Sequence, residues 1–467
     1  MLNDDSCYQA VLTHDKRFDG AFYVGVTSTQ VYCRTVCTAK TPHRGNCRFF
    51  KTAAAAECAG FRPCLRCRPE MAPGNAIVDS ISSLASSVID RIESGRFESI
   101  EALADELGIS ERHLRRVVQS EFGVSPIELA QTHRLLLAKL LLTDTSLSVT
   151  RVAMASGFSS VRQFNATFKE RYKMVPSDLR RSPARSKTDR PLVCRLHYRK
   201  PMAWKELFAY LAARSIPSVE HVEAKSYART LSINGHTGWI RITPEMEGDL
   251  VQVEISPSLA AVLPAVLDRV KRLFDLNANA QAIEEKLGAI VCKSGLRVPG
   301  TFDGFELAVR AVLGQQVSVK AASTLMGRVA KAFGEDLETP FPQLTRLTPT
   351  SGRIVKLKVE DLTALGITSA RVRTVIALAE AIERKTLDLS NGSPATQIAR
   401  LKDLPGIGEW TAQYIAMRAL KWPDAFPHTD LGVKKAMNET DPKQILLIAE
   451  KWQPWRSYAV MQLWHSL

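Results

Sequence analysis

The distribution of cysteines constrains this chain more than any other feature. Seven of its nine cysteines (Cys7, Cys33, Cys37, Cys47, Cys58, Cys64 and Cys67) fall within the first 67 residues. Cys33-x3-Cys37 and Cys64-x2-Cys67 form two close pairs, a spacing that suits four thiolates around one tetrahedral Zn2+. The start, Met1-Leu2-Asn3-Asp4-Asp5, lacks a basic or apolar leader, and no stretch approaches about 18 uninterrupted apolar residues. A cytoplasmic protein with no membrane partner is therefore expected, and in a reducing compartment clustered cysteines mean metal rather than disulfides. Cys7, Cys47 and Cys58 read as packing thiols. The plain reading of the four-cysteine site is a structural zinc. A second reading exists because four thiolates on a divalent cation leave a charge of about −2, and sulfur held permanently deprotonated is a good nucleophile.

Charge points to a polyanionic partner. Lys and Arg number 62 against 48 Asp and Glu, a net +14 over 467 residues. The excess is spread evenly, 27 basic to 20 acidic residues in 1–190 and 35 to 28 in 191–467, so each part carries +7. A single basic tail does not account for it.

The expected fold is α+β and multidomain. Residues 1–74 read as a small zinc-bound α/β domain closed by Pro73-Gly74-Asn75, and 78–180 as an all-α domain. Residues 181–191, with Arg181, Arg185, Lys187 and Arg190 around Pro183, read as a basic linker. Period-two alternation in 192–258 (Thr230 to Ile233, Trp239 to Ile242, Leu250 to Ile255) predicts a small antiparallel-sheet domain, and 259–467 returns to helical periodicity.

The second domain contains a repeat. Ala104 to Ser110 recurs 49 residues later as Ala153 to Ser159, and Phe122 and Pro126 recur 50 residues later as Tyr172 and Pro176. Each unit has a helix with a small Ala, a Gly turn, a Ser N-cap and a second amphipathic helix, which is a helix-turn-helix present twice. The recognition helices are expected at Glu111–Glu121 and Val161–Tyr172, with Arg112, His113, Arg115, Arg116, Arg162, Gln163 and Asn165 as candidates for touching bases or phosphates, or as a solvated face.

In the last part, Leu404-Pro405-Gly406-Ile407-Gly408-Glu409-Trp410 reads as a tight loop opening a helix. The N–H groups at Gly406 and Gly408 would be free to bind a DNA phosphate, through a monovalent cation such as Na+. Five of the seven tryptophans lie in the last 58 residues, and an acid, Asp430, follows the loop. Aromatic faces of this kind can sandwich a base swung out of a duplex. Trp452 and Trp455 read as core.

Two resemblances sharpen these readings. Val31 to Cys37 and Ala59 to Pro69 resemble the N-terminal domain of the Ada adaptive-response proteins, and the paired helix-turn-helix resembles the AraC-type domain that follows it there. The resemblance implies that Cys33 accepts a methyl group irreversibly from a DNA methylphosphotriester. Cys33, Cys37, Cys64 and Cys67 would then hold zinc, and Thr29, Lys40 and Arg62 would touch DNA. It implies a transcription activator with RNA polymerase as a partner. Thr38 stands where the family carries a basic residue, and no Pro-Cys-His-Arg motif exists in the chain, so repair of O6-methylguanine is not expected.

Residues 192–467 resemble the 3-methyladenine DNA glycosylase II (AlkA) family of the helix-hairpin-helix superfamily, through Leu211 to Glu220, Val309 to Ser318, the hairpin, and Trp452 to Ala459. By that resemblance Asp430 is the catalytic aspartate, Trp410, Tyr414 and Trp464 line the base pocket, and Gln316 sits where the family wedges the gap left by the flipped base. Bifunctional relatives that nick DNA carry Lys where this chain has Trp410, so a monofunctional hydrolase is expected. The combined reading is an alkylation-response protein, monomeric and acting on double-stranded DNA. It joins a glycosylase for alkylated purines to an activator switched by methyl transfer. The rival reading is a regulator whose C-terminal half binds DNA without cutting, and the intact Asp430, hairpin and aromatics stand against it.

Overall fold

Ser, Asp and Gly residues at the predicted punctuation points set the element boundaries. A computed structural model describes residues 3–73, 83–95, 97–180, 190–245, 249–390 and 393–467. Gly74-Asn75 and residues 181–189 of the expected linker lie outside the described residues. The chain forms two compact units: Met1–Arg199 with Pro244–Asp268 and Leu276–Asn279, and Lys200–Thr243 with Arg269–Asp275 and Ala280–Leu467.

The first unit opens with a four-stranded sheet of order β3-β1-β2-β4. Its strands are β1 (Tyr23–Val26), β2 (Val31–Cys33), β3 (Cys47–Phe50) and β4 (Arg62–Pro63). β1 pairs antiparallel with β2 and β3, and β4 runs parallel to β2. The parallel pairing is what carries Cys33, at the end of β2, beside Cys64, just after β4. The helix Ala53–Cys58, capped by Thr52, packs on this sheet.

The repeat folds as two helix-turn-helix units. Ile100–Leu107 ends at Gly108 in the left-handed region (φ 66°), which favours glycine, and Ser110 then caps Glu111–Phe122. In the second unit Val149–Ala155 leads to Val161–Tyr172, capped by Ser160. The cap is one residue later than the 49-residue repeat predicts. Ser160 lies 50 residues after Ser110, the offset that also relates Tyr172 to Phe122, and Ser159 instead donates to the Gln163 side chain at 2.9 Å. Between the units runs Pro126–Asp144, opened by a Ser125/Glu128 capping box with proline at its first position. Phe164, Phe168 and Tyr172 recur every fourth residue, stack edge to face at 5.4 and 4.8 Å, and form the buried face of the second recognition helix. Two further strands of this unit, β5 (Leu192–His197) and β9 (Leu250–Ile255), pair antiparallel and alternate buried with half-buried residues.

In the second unit β6 (Glu220–Glu223), β7 (Ser226–Ile233) and β8 (His236–Glu245) form an antiparallel meander. β7 departs from simple alternation because its second face is also covered: Arg229 is buried in an ion pair with Glu306 at 2.8 Å, and Thr230 donates to the Arg346 carbonyl at 2.5 Å. A helix, Trp204–Arg214, interrupts the region in which the sequence shows only strands. The remainder is helical. One apolar core, including Val312, Leu378, Leu401, Ala412 and Ile415, holds Gly304–Leu313, Pro394–Lys402 and Glu409–Arg418 together. Trp452 and Trp455 are buried as expected.

Candidate functional site

Asp430 is the N-cap of the helix Leu431–Met437, and both carboxylate oxygens are engaged. Oδ1 accepts from the Val433 amide at 3.0 Å and from Trp464 Nε1 at 2.9 Å, and Oδ2 accepts from Trp410 Nε1 at 2.8 Å. An N-cap fixes the side-chain rotamer at a helix end whose dipole favours negative charge. Two indole N–H groups then orient the carboxylate while their rings stay free to bind something flat. Trp410 and Tyr414, one turn apart on Glu409–Arg418, are stacked at 5.3 Å with planes 8° apart, and Trp464 lies 6.5 Å from Tyr414, tilted by 44°. These rings and Asp430 line a cavity of about 560 Å³, a volume that accepts a purine.

The cavity lining is also charged, which sequence reading missed. Tyr210 and Arg214 from Trp204–Arg214, and Arg310 from Gly304–Leu313, line the same cavity. Behind them Arg418, buried, donates from Nη1 to the hydroxyls of Tyr210 at 2.7 Å and Tyr414 at 2.9 Å. Burial raises the Tyr414 phenol, but the guanidinium charges of Arg418, Arg214 and Arg310 outweigh it and bring its pKa down to about 7. The available signal was the spacing of Tyr210 with Arg214 and of Tyr414 with Arg418, each four residues apart on a helix.

The hairpin is built as its residues require. Gly406 has φ +83°, and a Cβ there would lie 2.3 Å from Thr374 Oγ1, whereas nothing lies within 4 Å of a Cβ at Gly408. Gly408 begins the helix without a side-chain cap, leaving first-turn N–H groups available for an anion. Gln315, which sequence reading passed over, ties this loop down: its Nε2 donates to the Gly406 carbonyl at 2.9 Å and to Thr411 Oγ1 at 3.0 Å. Gln316 beside it is exposed and has φ 54°, in the left-handed region.

In the first unit the ligand sulfurs of Cys33, Cys37, Cys64 and Cys67 all lie within 4.8 Å of one another. Hydrogen bonds from the neighbouring sulfurs push the Cys33 thiol up and draw Cys64 down. A donor set in which protons must be shared this way suits a cation that lets all four sulfurs ionise, so the residues fit zinc. Arg34 and Lys139, both unforeseen, brace it. The Arg34 amide donates to Cys67 Sγ at 3.4 Å, and its buried guanidinium donates to the Cys67 carbonyl at 3.1 Å and pairs with Asp19. Lys139 donates to the Cys64 carbonyl at 3.2 Å and pairs with Glu70. A lysine set among the leucines of Pro126–Asp144 was the legible signal. Cys7 and Cys47 are buried as packing thiols, but Cys58 is exposed, with Arg171 Nη1 3.9 Å from its sulfur, because it sits on the outer side of a six-residue helix.

Of the expected DNA contacts, Thr29, Lys40, Arg112, Arg115, Arg116, Arg162, Gln163 and Asn165 are exposed, and Arg62 and His113 are half-buried. Arg115 is partly engaged by Glu111 at 3.2 Å, and Arg116 meets His113 Nδ1 at 2.9 Å. Among the described residues no helix is long and apolar enough to cross a membrane.

Comparison with known proteins matches this architecture segment by segment. Four family descriptions apply: the metal binding domain of Ada over 6–70, a helix-turn-helix domain over 103–182, the AlkA N-terminal domain over 193–303, and the HhH-GPD superfamily base excision DNA repair protein over 309–444. The chain is 38% identical over 487 residues to a Mycobacterium tuberculosis protein named "probable bifunctional transcriptional activator/DNA repair enzyme AlkA", covering 100% of this chain and 97% of that one. It is 37% identical over 273 residues to DNA-3-methyladenine glycosylase 2 of Escherichia coli K12, covering 58% of this chain and 96% of the relative. A 3-methyladenine DNA-glycosylase structure from Archaeoglobus fulgidus aligns with TM-score 0.52 at 20% identity, over 58% of this chain and 97% of that one, which shows the fold. A full-length relative at this identity and four consecutive domain matches lead to one conclusion: the chain belongs to the family of bifunctional transcriptional activator/DNA repair enzymes AlkA, with an Ada-type zinc-binding domain, a helix-turn-helix domain and an AlkA-type HhH-GPD glycosylase domain in one polypeptide.

Proposed function

We propose that the second unit hydrolyses the N-glycosidic bond of alkylated purines, 3-methyladenine among them, and leaves an abasic site. What carries this reading is the Asp430 carboxylate, pinned between two indole N–H groups at the edge of a purine-sized cavity. An N-alkylated purine is already cationic, so no general acid is needed for its departure. The C1′–N bond breaks with its electrons passing to the base, and the negative charge of Asp430 stabilises the sugar cation that remains. Water then adds at C1′ and gives its proton to the carboxylate or to solvent. Parallel Trp410 and Tyr414 faces favour a cationic base through their π electrons. No lysine stands at position 410 to form a Schiff base, so the product is an unnicked abasic strand. Gln316 would fill the space left by the flipped base, and the N–H groups at Gly406 and Gly408 would hold a backbone phosphate, with any monovalent cation such as Na+ bound to the phosphate and loop carbonyl oxygens. The test is release of free 3-methyladenine from methylated duplex DNA by the wild type and by Asp430→Asn: release by the first and near-loss in the second is expected, and equal release by both would overturn the role of Asp430.

For the first unit we infer a methyl-acceptor switch. Cys33, Cys37, Cys64 and Cys67 would hold a zinc ion, which when bound would keep their sulfurs deprotonated. Cys33 Sγ attacks the methyl carbon of a methylphosphotriester, the S–CH3 bond forms as the O–CH3 bond breaks, and the phosphodiester leaves with the electron pair. The site moves from about −2 to about −1, repels phosphate less, and DNA affinity rises. Thr29, Lys40 and Arg62 would grip the backbone, and Arg112, Arg115, Arg162 and Gln163 would read successive major grooves. In this reading the protein is a cytoplasmic monomer that recruits RNA polymerase. Its domains run 1–74, 78–180, 192–258 and 259–467, with 181–191 as linker. Mass spectrometry after exposure to methylphosphotriester DNA tests it: one added methyl on the Cys33 peptide is expected, and a methyl on Cys47 or none would overturn it.

A further inference from the structure

Arg418 is a buried cation, 4% exposed, and among the described residues no carboxylate pairs with it. Its fork is filled by neutral groups: the carbonyls of Pro299 and Gly300 (3.0 Å), and the hydroxyls of Tyr210 and Tyr414. The acids around it are committed elsewhere. Glu220 takes the Tyr227 hydroxyl and lies 3.5 Å from Arg229, Glu306 holds Arg229, Glu206 holds Lys293 at 2.8 Å, and Asp430 holds the indoles. A buried charge without a counter-charge is costly, and the groups in this fork that can ionise are the two phenols. Tyr210 is driven by burial to keep its proton.

We propose that Tyr414 is the counter-anion of Arg418, and that its phenolate, stacked against Trp410, makes the pocket select cationic over neutral purines more strongly as pH rises. The inference rests on the glycosylase reading above. Its reason is electrostatic: Arg214 and Arg310 line the same cavity and repel a cationic base, and a negative ring on the stacking face offsets them. The proton leaves to solvent and no other reactant takes part. The charged and titratable groups facing Tyr414 are Arg418 on its own helix, Glu206, Tyr210 and Arg214 from Trp204–Arg214, and Arg310 from Gly304–Leu313, while Glu220 from β6 and Glu306 stand beside Arg310 and Arg418. Asp430 and His465 lie across the cavity. Pro394–Lys402, packed on the same helix, offers Arg400 and Lys402, and Glu409 holds Lys402 at 2.6 Å. The arginines bring the phenol to about 7, so the phenolate is the minor form below that pH and the major form above it.

The full-length protein supplies the test. An ultraviolet difference titration between about pH 6 and about pH 9 should show one tyrosinate forming near neutrality in the wild type and none in Tyr414→Phe, with an upward shift in Tyr210→Phe, which removes a donor to the Tyr414 oxygen. Over the same range the ratio of single-turnover rates, 3-methyladenine over hypoxanthine, should rise about tenfold in the wild type and stay flat in Tyr414→Phe. No tyrosinate below about pH 9 with both bases still released overturns this inference alone. A tyrosinate that titrates while neither base is released sinks the glycosylase reading and the selectivity with it.

Discussion

Trp410 Nε1 and Asp430 Oδ2 are hydrogen-bonded at 2.8 Å across 20 residues of sequence, so one indole both stacks on Tyr414 in the cavity and aims the carboxylate. Stacking and charge placement are coupled through a single ring. Substitutions that separate the two roles are therefore informative.

Asp430→Asn removes the charge and turns an amide N–H toward an indole N–H, so base release should fall at least about 100-fold. Trp410→Phe keeps a flat face but deletes the donor, and a lost bond to a charged group predicts a fall of about 10- to 100-fold. Single-turnover base release measures both. A Trp410→Phe rate equal to wild type would show that the indole N–H does not position Asp430.

Methylation of Cys33 should raise promoter affinity and weaken with added salt, because the gain comes from one unit of charge facing phosphate. Cys33→Ser should abolish methyl uptake. DNA binding titrated at several salt concentrations before and after methylation checks this, and equal affinities at low salt would contradict the switch.

At the hairpin, Gly406→Ala combines a φ of +83° with a Cβ 2.3 Å from Thr374 Oγ1, so it should cost about 1–3 kcal/mol and weaken binding to abasic duplex DNA. Gly408→Ala meets nothing within 4 Å and should cost under about 1 kcal/mol. Denaturant unfolding and DNA titration of the two variants compare them, and an equal cost would show that conformation at Gly406 is not the limiting factor.

Lys139 and Glu70 form an ion pair in which both side chains are nearly sealed from solvent, 2% and 1% exposed. Arg68 also pairs with Glu70, at 2.9 Å, so Lys139→Met leaves the buried carboxylate with one of its two cations and should destabilise the first unit by about 1–3 kcal/mol. The same change removes the donor to the Cys64 carbonyl, and zinc retention against a chelator should drop in parallel. Undiminished retention would separate the ion pair from the metal site.

Glu57 is fully buried and accepts from Tyr32 at 3.0 Å, Tyr172 at 3.3 Å and Thr132 at 3.1 Å. Burial raises its pKa from 4.5 to about 7. A folded-state value above the unfolded one means the folded protein binds the proton more tightly. Its contribution is therefore complete below pH 4.5 and is lost as pH rises through about 7. Wild-type Tm should fall over that window more steeply than that of Glu57→Gln, and parallel Tm profiles would contradict the assignment.

Much of the site was legible because its residues are local in sequence or fixed in spacing. The two cysteine pairs, the glycines of the hairpin and the helix-turn-helix repeat each encode one geometry within a few residues, through ligand spacing, a positive φ or a cap. What escaped was polar and non-local. Tyr414 apart, Arg418, Tyr210, Arg34 and Lys139 do their work through partners 15 to 208 residues away. The four-residue spacing of Tyr414 and Arg418 hints at one such contact, but it does not show which of these cations is buried or what the rest of its fork binds. Ser160 took the cap expected at Ser159 for a related reason: the repeat offset changes from 49 to 50 at the turn, and only the packed helix shows which serine reaches the Gln163 amide at 3.1 Å.

The sequence by itself determined the parts: a four-thiolate site, two helix-turn-helix units, a strand-rich segment and a helix-hairpin-helix with its tryptophans. These depend on spacing, capping and hydrophobic period, which are short-range physics. The tertiary structure decided the electrostatics: which acids are spoken for, which arginine is left facing two phenols, and which lysine braces the metal site. That depends on burial, because a charge acquires a specific partner only once folding has removed the water that would otherwise satisfy it.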